Sequence, residues 1–391
     1  MKMRNCSKYF LIFLIYILFL SLVLDMGGTL GIRNPILIFS SLFLLFFSKF
    51  KFNKYDIIIF LALLVIWPLY SYMLGITNDG NIDIANSQLK ATVLSFVLFL
   101  VLYNVPYALL IDGFMWGIKI TSIVSIFLTF SLFFEIPVGK AVLEYMDKVE
   151  AGYFGFRPLV ENVYVPNIYF KSTLFFVGAF IFYLFRDKWI TAVIIFVSLV
   201  AAVAKTAIIV SSLAFIFYLI KSGKKFTKFI ISIIFVIGLF YFINSPYFLV
   251  IVDTLSGHSD TTDVRMQDFI SFLHSLGLVN FLFGNGLGSS FFSPSHNEYV
   301  YNIEIDHINS VRKYGVIWFI FFTSLTTFYS IKLINKKNKK IKLFGFSLII
   351  TFLLAGTNPV LISPLFLTML SIAVIIENQY LFRNKEKTDE Y

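Results

Sequence analysis

Cysteine is almost missing: Cys6 is the single one in 391 residues, so no intramolecular disulfide framework and no cysteine-based metal site can form. Its surroundings also lack the small residues of a lipid-attachment site. Charge is scarce too, at 14% of residues, and with 58% hydrophobic residues the mean hydropathy reaches +0.84. One soluble core of this length has no room for so much apolar surface, so lipid has to supply the rest of the solvent. No soluble domain fits between the apolar runs, and no internal repeat, low-complexity tract or linker divides them. Residues 1–391 therefore read as a single integral membrane domain. Mid-membrane carboxylates are close to absent, which weighs against a proton-coupled transporter, whose relays need such groups. The 49 phenylalanines, beside abundant Ile, Asn and Lys, reflect compositional habit rather than aromatic recognition.

What is present is a succession of apolar runs, and a helix needs about 20 mostly apolar residues to cross the ~30 Å hydrocarbon layer. Candidate spans are Tyr9 to Leu24, Pro35 to Phe50, Asp56 to Leu74, Ala91 to Leu110, Phe114 to Phe134, Asn167 to Phe185 and Trp189 to Ala204. Thr206 to Ile220, Phe229 to Ile243, Tyr314 to Ile331, Leu343 to Thr357 and Val360 to Ile376 complete an all-α polytopic membrane protein of about twelve transmembrane helices. The first run follows a basic start, but its core is too long for a secretory signal and no cleavage site follows, so it reads as an uncleaved helix. Orientation follows Lys and Arg in the short loops. With the N-terminus inside, the segments Met1 to Lys8, Ser48 to Lys54, Arg186 to Lys188, Lys221 to Lys228, Lys332 to Lys342 and Leu381 to Tyr391 hold 21 of the 32 basic residues. Both termini are then cytoplasmic in a bacterial-type cytoplasmic (inner) membrane. The net charge of +10 is this topogenic signal plus attraction to anionic membrane lipid, and it needs no nucleic acid partner.

Two segments are too long and polar for turns, and this topology puts both outside: residues 135–166 and residues 244–313. Long loops on a rigid scaffold are where binding and catalysis concentrate. Within the second, TTDVRMQDFISFLHSLG predicts an amphipathic helix with Phe269, Phe272, Leu273 and Leu276 on one stripe and Arg265 and Asp268 off it. Next, NFLFGNGLGSSFF carries Gly284, Gly286 and Gly288, which permit either a plain flexible turn or one whose amides face an anion. Then SPSHNEYVYNIEIDHINSVRKYGVIWF brings His296, Glu298, Glu304, Asp306, His307, Arg312 and Lys313 together just above the next span. Each alone reads as a solvated loop charge; their density is less ordinary. Lys205 interrupts the apolar run LVAAVAKTAIIVSS, as an interfacial lysine at a helix break or as an anion site.

These residues resemble a family. Arg265, the amphipathic stretch, the glycine turn and the His/Glu/Asp-rich segment ending in IDHINSVRKYGVIWF are similar to the signature loop of the O-antigen polymerase and ligase superfamily. VAAVAKTAIIVSS resembles its Ser-Arg-Thr helix break, with Ala204 and Lys205 where Ser and Arg are usual; charge survives that swap, a bidentate fork does not. FGFRPLVENVYVPNIYF resembles its first external loop motif, an Arg preceding an Asn at the next helix start.

The resemblance implies a metal-independent glycosyltransferase that needs no cofactor and joins undecaprenyl-pyrophosphate-linked oligosaccharide repeat units into O-antigen or capsular polysaccharide. A chain-length regulator and a flippase are the implied partners. A pyrophosphate leaves as an anion and asks for fixed cations, for which Arg157, Lys205, Arg265 and Arg312 are the candidates. The acceptor hydroxyl needs a base within reach; Glu304, Asp306 and His307, with His296 behind them, are the catalytic candidates. An O-antigen ligase passing finished glycan to an acceptor is the nearest alternative. A flippase or transporter for lipid-linked oligosaccharide would line a path through the bilayer with charge, whereas the polar groups here cluster in external loops.

Overall fold

A computed structural model describes residues 5–47, 52–160, 163–221, 260–295 and 297–388, with isolated positions between 222 and 259. His296 and the continuous course of the expected span Phe229 to Ile243 lie outside the described residues.

The chain is mostly helical. Helices α1 (Asn5–Leu24) and α2 (Arg33–Phe47) are followed by α3 (Lys54–Leu61), a single π turn (Ala62–Ile66) and α4 (Trp67–Thr77). Pro68 explains the π turn: it has no N–H to donate and its ring crowds the carbonyl four residues back, so the rod absorbs an extra residue there. Helix α5 (Ile82–Leu102) starts on the Asn81 side chain, which accepts from the N–H groups of Asp83 and Ile84.

Hydropathy alone places the next break after Leu110, but α6 (Tyr107–Phe133) begins earlier, because Pro106 ends α5's continuation and biases Val105 away from helix. The Gln379 side chain accepts from Tyr107 N–H and donates to the carbonyls of Tyr103 and Val105, satisfying the backbone that this break exposes. Segment 135–166 is not irregular. It holds α7 (Pro137–Lys148) and most of an antiparallel hairpin, β1 (Gly152–Val160) and β2 (Val163–Phe170). β2 therefore takes Asn167–Phe170 from the expected span, and α8 (Phe175–Leu184) is only ten residues long. Helix α9 (Trp189–Ala201) and α10 (Lys205–Lys221) are separated by Ala202–Ala204.

Then come α11 (Asp260–Ser275), α12 (Leu278–Phe283), the small hairpin β3 (Phe291–Ser293) and β4 (Glu298–Val300), and α13 (Asp306–Ile334), kinked at Gly315. Helices α14 (Lys339–Leu354) and α15 (Pro364–Thr388) complete the chain. The expected amphipathic helix forms as α11, and Phe272 and Leu276 pack with Phe291 and Ile303. Two details differ from the sequence pattern. Leu273 stays 47% exposed, and Asp268 is buried, its carboxylate accepting from the hydroxyls of Ser293 and Ser295. The β3–β4 hairpin is the covering layer that the heptad-like stripe alone did not reveal.

All ten residues of α8 are buried, as is the stretch Leu365–Ile376 of α15, so these two helices form the centre around which the others pack. The outer surface is apolar, with Ile58, Met73, Leu213, Phe217 and Ile320 all more than half exposed. Among the described residues, four helical rods, Lys54–Thr77, Ile82–Leu102, Tyr107–Phe133 and Asp306–Ile334, are long and apolar enough to cross a membrane. Such a surface fits a helical, multi-pass membrane protein. At the end of α13 and α15 away from the two hairpins lie the ion pairs Lys336–Glu377 and Lys340–Asp112, both 2.7 Å.

Candidate functional site

Alternation along the large hairpin gives its two faces different jobs. Phe154, Ile168 and Phe170 point into a cluster with Leu128, Leu143 and Met146 of α6 and α7. The opposite face carries Tyr153, Gly155 and Arg157, paired across the strands with Tyr169, Asn167 and Val165. That face forms one wall of a cavity of about 580 Å³.

The remaining walls come from distant segments. The break between α9 and α10 contributes Ala202 to Ala207, with Lys205 at the first residue of α10. Val203 holds a left-handed backbone there, φ 48°, a strained state for a β-branched residue. The break thus places the first turn of a 17-residue helix, as well as the lysine, in the lining of the same space. Such a terminus favours anions. From the other side, Arg265 of α11 donates through Nε to Glu304 Oε2 at 2.7 Å and through Nη2 to the Thr357 carbonyl at 3.2 Å. The two side chains are 26% and 49% exposed, and a pair so wet is worth only about 0.2–1 kcal/mol. Stability is therefore a poor reason for it; orientation of both groups in the cavity wall is a better one. Glu304, Thr357 and Asn358 also line the cavity.

Arg157, Lys205, Arg265 and Glu304 are thus brought together although they are up to 147 residues apart in the chain. Asp306, His307 and Arg312 are not in the lining. Asp306 is buried, and its carboxylate accepts from Leu361 N–H while its own N–H donates to the Ala355 carbonyl, fastening α13 to the segment before α15. The His307 ring packs edge-to-face against Phe352 at 4.9 Å and Phe319 at 5.9 Å. Arg312 is fully buried; it donates to the Ser289 carbonyl and hydroxyl, the Tyr301 carbonyl and Asn309 Oδ1, and its guanidinium stacks over Phe291. It ties the glycine turn, the β3–β4 hairpin and α13 into one unit.

The glycine turn resolves in the structure as a packing device. The amides of Asn285, Gly286, Leu287 and Gly288 donate to the carbonyls of Arg312, Lys313 and Ser71 and to Gln88 Oε1, so none of the four faces an anion. All three glycines have φ between 73° and 90°, and a Cβ on Gly286 would lie 2.1 Å from the Gly75 nitrogen. The turn is pressed directly onto α4.

Sequence reasoning missed Tyr153, Tyr169, Thr206 and Asn358, and gave Asn167 no role beyond the asparagine of the first loop motif at the start of a span. The available signal was the alternation in GYFGFRPLV and VYVPNIYF, which reads as a hairpin once it is not merged with the following apolar run. Tyr169 matters electrostatically: burial, then the neighbouring Glu304, push its phenol up to about 12 against the opposing pull of Arg265. It stays a neutral hydrogen-bond donor at any physiological pH.

No protein-family model matches the chain, and no solved structure does. Along its length, however, the chain is 23% identical to an O-antigen polymerase from Shigella flexneri, with 98% of each protein covered. The resemblance to O-antigen polymerases that the loop motifs carry therefore extends across nearly the entire chain.

Proposed function

We propose that the chain is a glycosyltransferase that polymerises oligosaccharide repeat units from an undecaprenyl-pyrophosphate donor on the outer face of the cytoplasmic membrane. One observation carries this reading: three cationic side chains and a helix N-terminus, from three separate segments, converge with one carboxylate from a fourth on a single cavity. In the reaction, the acceptor hydroxyl oxygen bonds to the anomeric carbon and its proton passes to a base. The bond from that carbon to the pyrophosphate oxygen breaks, and the electron pair leaves with the pyrophosphate. Arg157, Lys205 and Arg265 stabilise the departing charge in place of a metal. Glu304, whose Oε2 is held by Arg265, is the base or orienting acceptor, with Oε1 turned to the hydroxyl. Tyr169 donates to substrate oxygen. Asp306, His307 and Arg312 act by positioning these groups.

The twelve-span topology expected from the sequence supports the outer location. The hairpin, the Lys205 break, the 260–306 region and the 355–363 segment fall in the external loops or at the outer ends of the spans that the basic-residue bias orients, and the cavity draws on all four. Deleting the gene and analysing surface polysaccharide tests the reading. Single repeat units retained on lipid or core support a polymerase. Full-length unattached polymer indicates a ligase, and cytoplasmic accumulation indicates a flippase; either overturns it.

A further inference from the structure

Two features of the strand face that borders the cavity have no explanation in pyrophosphate binding. Gly155 sits inside β1, where glycine costs roughly 0.5–1 kcal/mol relative to alanine. Its backbone is not among the left-handed glycines, and a Cβ built on it would meet nothing within 4 Å. Neither backbone conformation nor protein crowding demands glycine there. Gly155 pairs in regular register, away from the irregularity at Pro158/Val160, so of the roles a strand glycine serves the close approach of a ligand fits it best. Directly opposite it in the strand register stands Asn167, 2% exposed, whose Oδ1 has no hydrogen-bond partner among the described residues. Leaving a buried amide oxygen unpaired costs about 1–3 kcal/mol, so the site is waiting for a donor.

Gly155 has Tyr153 on one side and Arg157 on the other, about 13 Å apart at 3.3 Å per residue. Tyr153 Oη donates to the Phe156 carbonyl at 3.0 Å, which holds its ring along the strand beside the glycine. A compact, hydroxyl-bearing saturated ring fits a slot with an aromatic wall, an open floor, a buried acceptor and an arginine at one end.

We infer that Gly155 and Asn167 form the subsite for the sugar ring attached to the pyrophosphate, with Gly155 as its floor and Asn167 Oδ1 accepting from a ring hydroxyl or acetamido N–H. This rests on the proposed function: Arg157 marks the pyrophosphate end, and the pair beside it reads the first sugar. It makes these two residues determinants of which repeat unit is accepted.

The test measures binding by the full-length protein in nanodiscs of two probes: undecaprenyl pyrophosphate, and the lipid-linked repeat unit extracted from a deletion strain. Gly155→Val fills the slot with a residue that strands favour, and Asn167→Leu removes the acceptor. Each is expected to weaken the repeat-unit probe at least tenfold and to leave undecaprenyl pyrophosphate within twofold, whereas Arg265→Ala weakens both. Gly155→Ala is the milder companion, expected to give an intermediate loss. If Gly155→Ala and Asn167→Leu bind both probes like the wild type, or lose both equally, the subsite is wrong while the pyrophosphate reading stands. If the wild type binds neither probe, or Arg265→Ala changes neither affinity, the functional reading itself fails.

Discussion

Two arginines that look alike in the sequence should behave in opposite ways when truncated. Arg312→Ala removes a fully buried guanidinium that satisfies the Ser289 and Tyr301 carbonyls, the Ser289 hydroxyl and Asn309 Oδ1. Unpaired buried acceptors cost about 1–3 kcal/mol each, and breaking a buried charged network typically costs ~3–5 kcal/mol. Against a total stability of order 5–15 kcal/mol, that loss depletes the folded protein several-fold. Arg265→Ala, by contrast, gives up one half-exposed ion pair and a single bond to the Thr357 carbonyl, a loss of about 1 kcal/mol that leaves protein level unchanged. It removes a cavity cation and abolishes polymer. The assay pairs immunoblotting of membranes with gel analysis of surface polysaccharide in a complemented deletion strain. Normal Arg312→Ala levels, or long chains with Arg265→Ala, would show that the division between scaffold and cavity is misdrawn. Arg265→Lys then asks whether charge alone suffices.

Lys205→Ala and Arg157→Ala should each lower polymer output at least tenfold at unchanged protein level; full-length ladders from either would take that cation out of the site. His307→Phe keeps the ring contacts with Phe352 and Phe319 and is expected to retain polymerisation, so a dead but well-folded variant would return His307 to the chemistry. Gly286→Ala places a Cβ 2.1 Å from the Gly75 nitrogen at φ 90° and should prevent accumulation in the membrane; wild-type abundance would contradict the close packing of the turn. Single cysteines at positions 157, 205 and 265, in a background lacking Cys6, should react with an impermeant thiol reagent applied to intact spheroplasts; labelling only after permeabilisation would invert the topology.

Composition and the spacing of apolar runs were enough to establish a helical membrane protein, because hydrocarbon accepts no unpaired backbone and the 20-residue run is a one-dimensional signal. The loop motifs were equally legible, and Arg157, Lys205, Arg265 and Glu304 could be named as candidates without coordinates. Boundaries were less accessible. Pro106 and Gln379 move a helix break that hydropathy places elsewhere, and β2 hides within an apolar run whose period of two is masked by the helix after it. Which charges face a cavity was beyond the sequence altogether. Arg265 and Arg312, Glu304 and Asp306 differ in no local property; only the packing of α11 on β3–β4, and of α13 on the segment before α15, leaves one of each pair wet and seals the other in. Burial depends on contacts between residues far apart in the chain, and those exist only once the helices have assembled.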